Sequence, residues 1–549
     1  MALPTKTIRQ IDTILSRAAR ADEPGITVGI AKGGCMVWRG GRGLANLEMV
    51  APLTPQTPFR ICSISKQFAC ALVMREVRAK RIALHAHPSR YLPWAKVLDA
   101  TLTVAQLMQN KSGIRDQWTL AMMMGARAEQ RFTLDDGIAV NRMAPESMFA
   151  PGSQNLYCNA NFEVLGQILE AVTQQSYAAL LEAHIFAPLG MQDSYLGIDT
   201  AQPLVGDAFG YRFHDGAWVE EENAIHWAAS AGIVSTIGDL LKWAACLRDP
   251  RATGLPWVAD ILTATPFNDG AAATYASGIN HAINATTGRA MLAHAGALRG
   301  WRSILMHFVK EDVSIAVFMN RTNAASVPAL FPRGVAYEVA EALGVAPIWH
   351  ETSANAKRRA QPKAAVIPDH TQGAYVSREQ GLMVQLRNHD GGAQIFSHLD
   401  WSVLLAHGSR TYATDDGHLS IQFADESDKT LMLTMPAENV TTPMQLVVPS
   451  SAAKTRFAAK GRYHCAPLAS TLDIAVHDGA TSIGFTGIFG EGVHYPLTLL
   501  NATTAYFDLS RGVDESPPGR VLVLFDATEN LLELSCMLAR RMVFRGVKR

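Results

Sequence analysis

Apolar residues change their spacing several times along residues 1 to about 350. An amphipathic helix is predicted near the N-terminus, reaching about Ala19. Gly25 to Trp38 then reads as two apolar strands around the turn Gly33-Gly34. From Ser63 the period becomes helical through Phe68, Ala71, Leu72, Met74 and Val77. Helices are further predicted at Ala105–Asn110, Phe162–Val172, Tyr177–Ile185 and Ile237–Cys246. Strand character returns at Arg289–Leu292, Ser303–Phe308 and Val313–Met319, before a helix at Val335–Leu343. Strands flanking a helical middle predict an α/β sandwich around an antiparallel sheet.

The pattern shifts after residue 350. Glu351 to about Thr371 is polar and aperiodic with two prolines, and reads as a linker. Beyond it, short alternating runs are separated by Gly, Asp and Asn turns. Gly373-Ala-Tyr375 and Gly461-Arg-Tyr463 open two similar segments. These predict two small antiparallel β-barrels of roughly ninety residues each, with one larger β-domain as the alternative. The expected layout is α/β followed by β: a domain over 1–350, a linker over 351–371, and barrels over 372–452 and 453–549.

Composition narrows the class. A chain of 549 residues exceeds one hydrophobic core. Lys+Arg and Asp+Glu both total 49, so no basic field favours nucleic acid. The N-terminus lacks a signal-like apolar core, and no apolar run reaches membrane-spanning length. The seven cysteines show neither CxxC nor metal-ligand spacing and read as reduced thiols. The expectation is a cytoplasmic protein that engages neither membrane nor nucleic acid and holds no metal or organic cofactor.

The sharpest chemical feature is Ser63-Ile-Ser-Lys66, where a strand-like segment meets a helix. Three-residue spacing on a helix puts Ser63 and Lys66 on one face, one turn apart. A serine hydroxyl is a weak nucleophile until a neighbour takes its proton, and an amine held neutral can do so. The helix N-terminus adds N–H groups that can hold an oxyanion. Ser-x-x-Lys recurs at Ser451-Ala-Ala-Lys454, between the two β segments with no apolar helix after it, so context selects Ser63.

Two weaker motifs follow. Tyr157-Cys158-Asn159 lies after the turn Pro151-Gly152, on a loop entering a helix expected near Asn161. A phenol there can relay protons, and the Asn159 amide can bind both Lys66 and a substrate carbonyl. His294-Ala295-Gly296-Ala297 sits on a strand, where Gly296 admits close approach of substrate backbone. The Ala297 N–H can then complete an oxyanion hole with that of Ser63. The other His-x-Gly triplets, at His214, His389 and His477, contain Asp-Gly and read as hairpin turns. Ser65 could bond Tyr157 or serve only the helix start. His226 could line the pocket or be a satisfied core histidine. Cys62 and Cys158 read as packing residues.

The order of these motifs resembles the penicillin-recognising serine hydrolases: class C β-lactamases, DD-peptidases and D-stereospecific aminopeptidases. Gln109 to Asp116 and Ala231 to Thr236 resemble supporting stretches of that superfamily. Within it, Ile61–Phe68, Tyr157–Phe162 and His294–Arg302 look most like the bacterial D-aminopeptidases. The resemblance implies a β-lactamase/DD-peptidase-like catalytic domain, with an antiparallel sheet flanked by helices. Two lipocalin-like β-barrels would follow, the second lending a loop to the active site.

It also implies Ser63, Lys66 and Tyr157 as catalytic residues, with Asn159, His294, Gly296, Ala297 and Asn280 binding substrate. In β-lactamases and DD-peptidases the third motif is usually Lys-[Ser/Thr]-Gly, which holds a substrate carboxylate. Here His294 and Ala295 remove the fixed charge and the hydroxyl, which favours amides, esters or peptides read from the amino end. In the matching barrel loop, Gly487 to Pro496, Val493 stands where a relative carries an acid and Glu491 lies two residues earlier, so either Glu491 takes the substrate amine or the substrate preference differs.

The implied partner is a small peptide or amide, and the implied assembly a homodimer. Removal of N-terminal D-residues is the expected reaction. An esterase, a D-amino-acid amidase, a peptide-cyclising acyltransferase and a non-enzymatic penicillin-binding sensor stand as alternatives.

Overall fold

A computed structural model describes residues 3–204, 206, 208–221, 224–283, 289–322, 332–345, 365–397, 401–408, 410–414, 417–424, 429–448, 457–477, 480–509 and 520–547. A six-stranded antiparallel sheet runs in the order Asn280–Ile283, Ala290–Leu298, Trp301–Phe308, Val313–Met319, Ile26–Lys32, Cys35–Arg42. The N-terminal strand thus pairs with the last one, Ile26 opposite Met319. Strand alternation splits the apolar side chains between two cores. Ile26, Val28, Ile30, Ile315 and Val317 pack against Ile11, Ile14 and Leu15 of the helix Thr5–Ala18 and Val335 and Val339 of the helix Pro332–Ala342. The opposite face meets the helix Ile237–Arg248 and the helical middle through Leu305, Ala316 and Phe318.

The predicted α/β sandwich is therefore present. Asp215-Gly216 and Asp390-Gly391 all carry positive φ at hairpin turns, as expected of His214-Asp-Gly and His389-Asp-Gly. Ser451-Ala-Ala-Lys454 and part of His477-Asp-Gly479 lie outside the described residues.

Two local differences arise from tertiary contacts. The helix expected near Asn161 begins at Asn159, because the Asn110 side chain takes the Cys158 N–H and fixes the chain just before it turns. The helix predicted over Tyr177–Ile185 is regular only over Tyr177–Leu181, and widens into a π-helical turn over Glu182–Phe186.

Both β-barrels are present. The first is closed by eight strands from Gly373–Ser377 to Val440–Leu446, with Tyr375 opposite Leu446 at the seam. Ala365 and Ile367 are already buried in its core, so packing begins ahead of Thr371. The second is a nine-stranded sheet whose edge strands, Gly490–Pro496 and Thr498–Leu499, are joined by Leu497 alone. The Leu497 N–H reaches Thr481 O at 2.8 Å, so the sheet curls back on itself. Tyr375 and Tyr463, the shared residues of the two opening segments, are both buried in the barrel cores.

The last barrel is fused to the helical middle. Phe457, Phe485, Phe507 and Phe544 belong to the same continuous apolar core as Trp118, Phe132 and Phe68. Its hairpin over 487–490 lies directly on Met124 and Gly125. A Cβ on Gly125 would overlap the Gly490 carbonyl, and one on Gly487 would stand 2.6 Å from Met124 O. The first barrel attaches through a smaller patch, where Val376 and Met383 meet Leu522 and Leu524.

Candidate active site

The site grows from a short crossing of chain segments. Phe59–Arg60 pairs with Ile233–Ser235, and the Ile61 N–H continues the ladder to Ile233 O at 3.0 Å. The Arg60 guanidinium is tied to the carbonyls of Gly197, Asp199 and Gln202, which fixes the strand end. Cys62 then takes a left-handed φ of 53°, sparsely populated for a residue with a Cβ. This kink turns the chain into a single 3₁₀ turn, Cys62–Ile64, followed by the helix Ser65–Arg78. Ser63 thus sits one turn ahead of the regular helix and is 9% exposed.

The third strand of the motif set seals this corner. Ser303 Oγ donates to Ile61 O at 2.8 Å, and a Cβ on Gly296 would overlap Ser303 Oγ and crowd Ile61 O and Cys62 Cβ. Only a glycine lets this strand lie against the serine turn.

Lys66 is fully buried. Its Nζ contacts Ser63 Oγ at 3.0 Å and donates to Asn159 Oδ1 at 2.8 Å and Ser230 O at 2.8 Å. The Tyr157 ring centre is 4.8 Å from that nitrogen and the Phe162 ring centre 5.2 Å, so aromatic faces border it as well.

Glu163 stands behind this arrangement, one helical turn after Asn159. Its Oε1 accepts the Ser230 hydroxyl and the N–H groups of Ala228 and Ser230, both at 3.2 Å. Burial pushes the Glu163 carboxyl above the ordinary carboxylate range, opposed by these hydrogen bonds and the Lys66 charge. Glu163 therefore holds the turn that presents the Ser230 carbonyl to Lys66.

Gln109 to Asp116 forms the backing scaffold. Asn110 accepts the Cys158 N–H and an Asn161 N–H on Oδ1, and Ser112 Oγ donates to Asn161 at 2.6 Å. These contacts locate the Tyr157-Cys158-Asn159 segment.

His294 is buried beside Tyr157, with ring centres 6.1 Å apart. Its Nδ1 lies 2.6 Å from Ala295 O and its Nε2 3.1 Å from the Tyr275 hydroxyl. One pattern satisfies both contacts: Nδ1–H donates to the carbonyl, and Nε2 accepts from Tyr275. Burial, with the Lys66 charge second, pulls His294 down to about 3. The ring is neutral and both of its nitrogens are engaged, so it offers no cation to a substrate.

The other expected residues spread around this centre. Ala297 is half-buried on the strand of His294, opposite Arg302. Asn280 is half-buried on the neighbouring strand, paired with Ala293. Ser65 does not turn to Tyr157; its Oγ accepts the Ile233 N–H at 3.1 Å and braces the crossing. His226 Nε2 instead lies 3.1 Å from Arg131 and 3.6 Å from Asp199.

Glu491 is 70% exposed, with its carboxylate 3.7 Å from His494 Nε2 and its carbonyl accepting from Arg127. Phe489 of the same hairpin packs on Phe132, whose carbonyl accepts the His226 N–H. The barrel hairpin is thereby joined to the segment that runs on to Ser230.

Glu163, Ser230 and Tyr275 were not marked by the sequence. Glu163 carried one usable signal, its i+4 spacing from Asn159. Ser230 and Tyr275 act through a backbone carbonyl and a long-range contact, which leave no local pattern.

A catalytic-type lysine on a buried serine, within this sheet and helix arrangement, defines a β-lactamase-like serine hydrolase. Residues 10–336 match the Beta-lactamase family, and the chain belongs to it. Residues 365–545, spanning both barrels, match the D-aminopeptidase domain B family.

Among curated relatives, the D-aminopeptidase of Gluconobacter oxydans is 29% identical over 535 residues, covering 96% of this chain and 97% of that one. The D-aminopeptidase of Brucella anthropi is 28% identical, covering 96% of each. Among solved structures, the D-amino acid amidase of Ochrobactrum anthropi SV3 has a TM-score of 0.52 at 20% identity, over 62% of this chain and 99% of that one. The octameric penicillin-binding protein homologue from Pyrococcus abyssi has a TM-score of 0.54 at 20% identity, over 80% and 99%. These likenesses show the fold. No helix among the described residues is long and apolar enough to cross a membrane.

Proposed function

We propose that this hydrolase removes N-terminal D-residues, small ones such as D-Ala, from peptides, amides or esters through an acyl-enzyme on Ser63. The observation that carries this is the 3.0 Å contact between Ser63 Oγ and Lys66 Nζ. A neutral lysine has two N–H bonds and one lone pair. Asn159 Oδ1 and Ser230 O accept N–H bonds from Nζ, and turning the lone pair of the neutral amine toward the Ser63 hydroxyl makes Lys66 the base.

In the first half-reaction Ser63 Oγ bonds to the substrate carbonyl carbon as its proton passes to Lys66 Nζ. The N–H groups of Ser63 and Ala297 hold the oxyanion. Tyr157 then hands a proton from Lys66 to the leaving nitrogen as the carbon–nitrogen bond breaks. Water attacks the acyl-enzyme by the same relay in reverse and frees Ser63. The scheme needs no metal or organic cofactor.

Substrate choice follows from charge. A neutral, fully engaged His294 gives a free carboxylate no fixed cation, which favours a substrate read from its amino end. D-selectivity is supported by the D-aminopeptidase relatives, which align over nearly the whole chain. We assign Asn280 and Gly296 to the substrate channel and the hairpin carrying Glu491 to its amine end, within a layout of catalytic domain to residue 350, a linker ending ahead of Ala365, a first barrel to 452 and a last barrel over 453–549. We further propose that the working form is a cytoplasmic homodimer, for which size-exclusion chromatography with light scattering is the check.

The test of activity is release of p-nitroaniline from D-Ala-, L-Ala- and N-acetyl-D-Ala-p-nitroanilide. Cleavage of the free-amine D-substrate alone supports the proposal. Hydrolysis of p-nitrophenyl esters with no anilide cleaved would overturn it in favour of an esterase or acyltransferase.

A further inference from the structure

The loop that delivers Tyr157 is held from two sides, and one of them lies outside the catalytic domain. On the inner side the Gly152 N–H donates to Lys111 O and the Leu156 N–H to Asn110 O, both at 2.8 Å. Asn155 Nδ2 donates to Gln109 O at 2.9 Å. These bonds lay the loop on the scaffold that also takes the Cys158 N–H.

The outer side is the first barrel. Ser153, Gln154 and Asn155, consecutive in the loop, each bond to it. Asn439 Nδ2 donates to Ser153 O at 2.9 Å, and the Asn155 N–H donates to Glu438 O at 3.0 Å. Gln154 Nε2 reaches Gln380 Oε1 at 3.3 Å. Arg540 of the last barrel donates from Nη1 to the Oε1 atoms of both glutamines, at 3.0 and 2.7 Å, and fastens the pair. Tyr157 follows Asn155 after one intervening residue, Leu156.

The barrel turn is longer than its hairpin requires. Thr430–Met435 and Val440–Leu446 pair as far as Met435 opposite Val440. Two residues such as Asn-Gly close a hairpin of this kind, yet Pro436 to Asn439 stand here. Asn439 closes the turn with its backbone, at a left-handed φ of 55° that asparagine tolerates, its N–H on Pro436 O at 3.2 Å. Its amide is free of that task and goes to the catalytic domain, to Ser153 O and to Asp269 Oδ2 at 3.1 Å. The apolar patch of the first barrel lies elsewhere, at Val376 and Met383, so packing does not account for this turn.

We propose that the first barrel is a positioning element for Tyr157. The turn Pro436 to Asn439, with Gln380 beside it, holds Ser153 to Asn155 so that the phenol stays within reach of Lys66 and the leaving group. Asn439 and Glu438 touch no substrate and act through the loop. The inference rests on Tyr157 as the proton relay. Proton transfer demands hydrogen-bond reach, and small misplacements of a catalytic group are costly to rate.

The experiment compares two D-alanine esters on the full chain by proton release in a pH-stat. Methoxide must be protonated as the carbon–oxygen bond breaks, whereas p-nitrophenolate leaves with its electron pair unprotonated. Loss of the relay therefore slows acylation by the methyl ester selectively, and kcat/KM reports acylation for both. Tyr157→Phe sets the size of that selective loss. Replacing Pro436 to Asn439 by Asn-Gly should lower kcat/KM for the methyl ester about tenfold and for the p-nitrophenyl ester less than about twofold, with Asn439→Gly intermediate. Should the shortened turn fail to fold, Asn439→Gly decides, since glycine adopts the left-handed φ freely. Equal losses on both esters, or none, in the turn variants would overturn the positioning role while a selective Tyr157→Phe leaves the relay standing. A Tyr157→Phe loss equal on both esters would overturn the relay and this inference with it.

Discussion

Lys66 has three oxygen neighbours and two aromatic faces, so its nitrogen is aimed rather than merely buried. Ser63→Ala should therefore abolish turnover and leave the thermal transition unchanged, because it removes one small oxygen from a packed turn. Glu163 offers a subtler test. Glu163→Gln keeps an oxygen for the three donors, so kcat should stay within about tenfold of wild type, whereas Glu163→Ala should lower it about a hundredfold with KM little changed. A stability loss without this split in kcat would mean that Glu163 only packs.

His294 gives a pH signature. The folded ring stays neutral down to about 3, whereas the unfolded ring protonates near 6.5, so the unfolded chain binds the extra proton between those values. Stability relative to a His294→Gln variant should be constant above pH 6.5 and fall progressively as the pH drops toward 3. Parallel melting curves of the two proteins across that window check it. At this scale the serine and lysine were legible because a one-turn spacing is a local fact. Ser65 stayed open between Tyr157 and the helix start because the partner it uses, the Ile233 N–H, is 168 residues away.

Among elements, the strand carrying His294 matters for what it lacks as much as for what it bears. Gly296 leaves room for the Cys62–Ile64 turn, and a side chain there would press on Ser303 Oγ and Ile61 O. Gly296→Val should cost about 1–3 kcal/mol by overpacking. It should also reduce kcat/KM out of proportion to that loss, since the displaced turn carries Ser63; denaturant melts alongside steady-state kinetics measure both. The main sheet strands were readable as apolar runs because the inner strands are buried on both faces. Phe59–Arg60 was read as a strand-like approach to Ser63, but Tyr195–Leu196 and Ile233–Ser235 were not, since pieces of two or three residues have no period to detect. Yet these pieces set the serine turn.

Across the whole molecule, the two barrels differ in how they are attached. The last shares one apolar core with the catalytic helices, and the first keeps its own core behind a smaller patch. Calorimetry should accordingly resolve two transitions, one for the first barrel and one in which the catalytic domain and last barrel melt together. A single transition, or one in which the last barrel melts alone, would contradict this. Turn spacing revealed two barrels in the sequence, but not the shared core, whose contacts join residues hundreds of positions apart. The seam of Met124, Gly125, Gly487 and Gly490 carries this furthest. Backbone there meets backbone, so neither partner can accept side chains unless the other retreats. The catalytic body and its last barrel are thus poor modules for recombination: a chimera that exchanges one alone inherits half of a matched pair, and grafting between relatives must carry both sides of the seam.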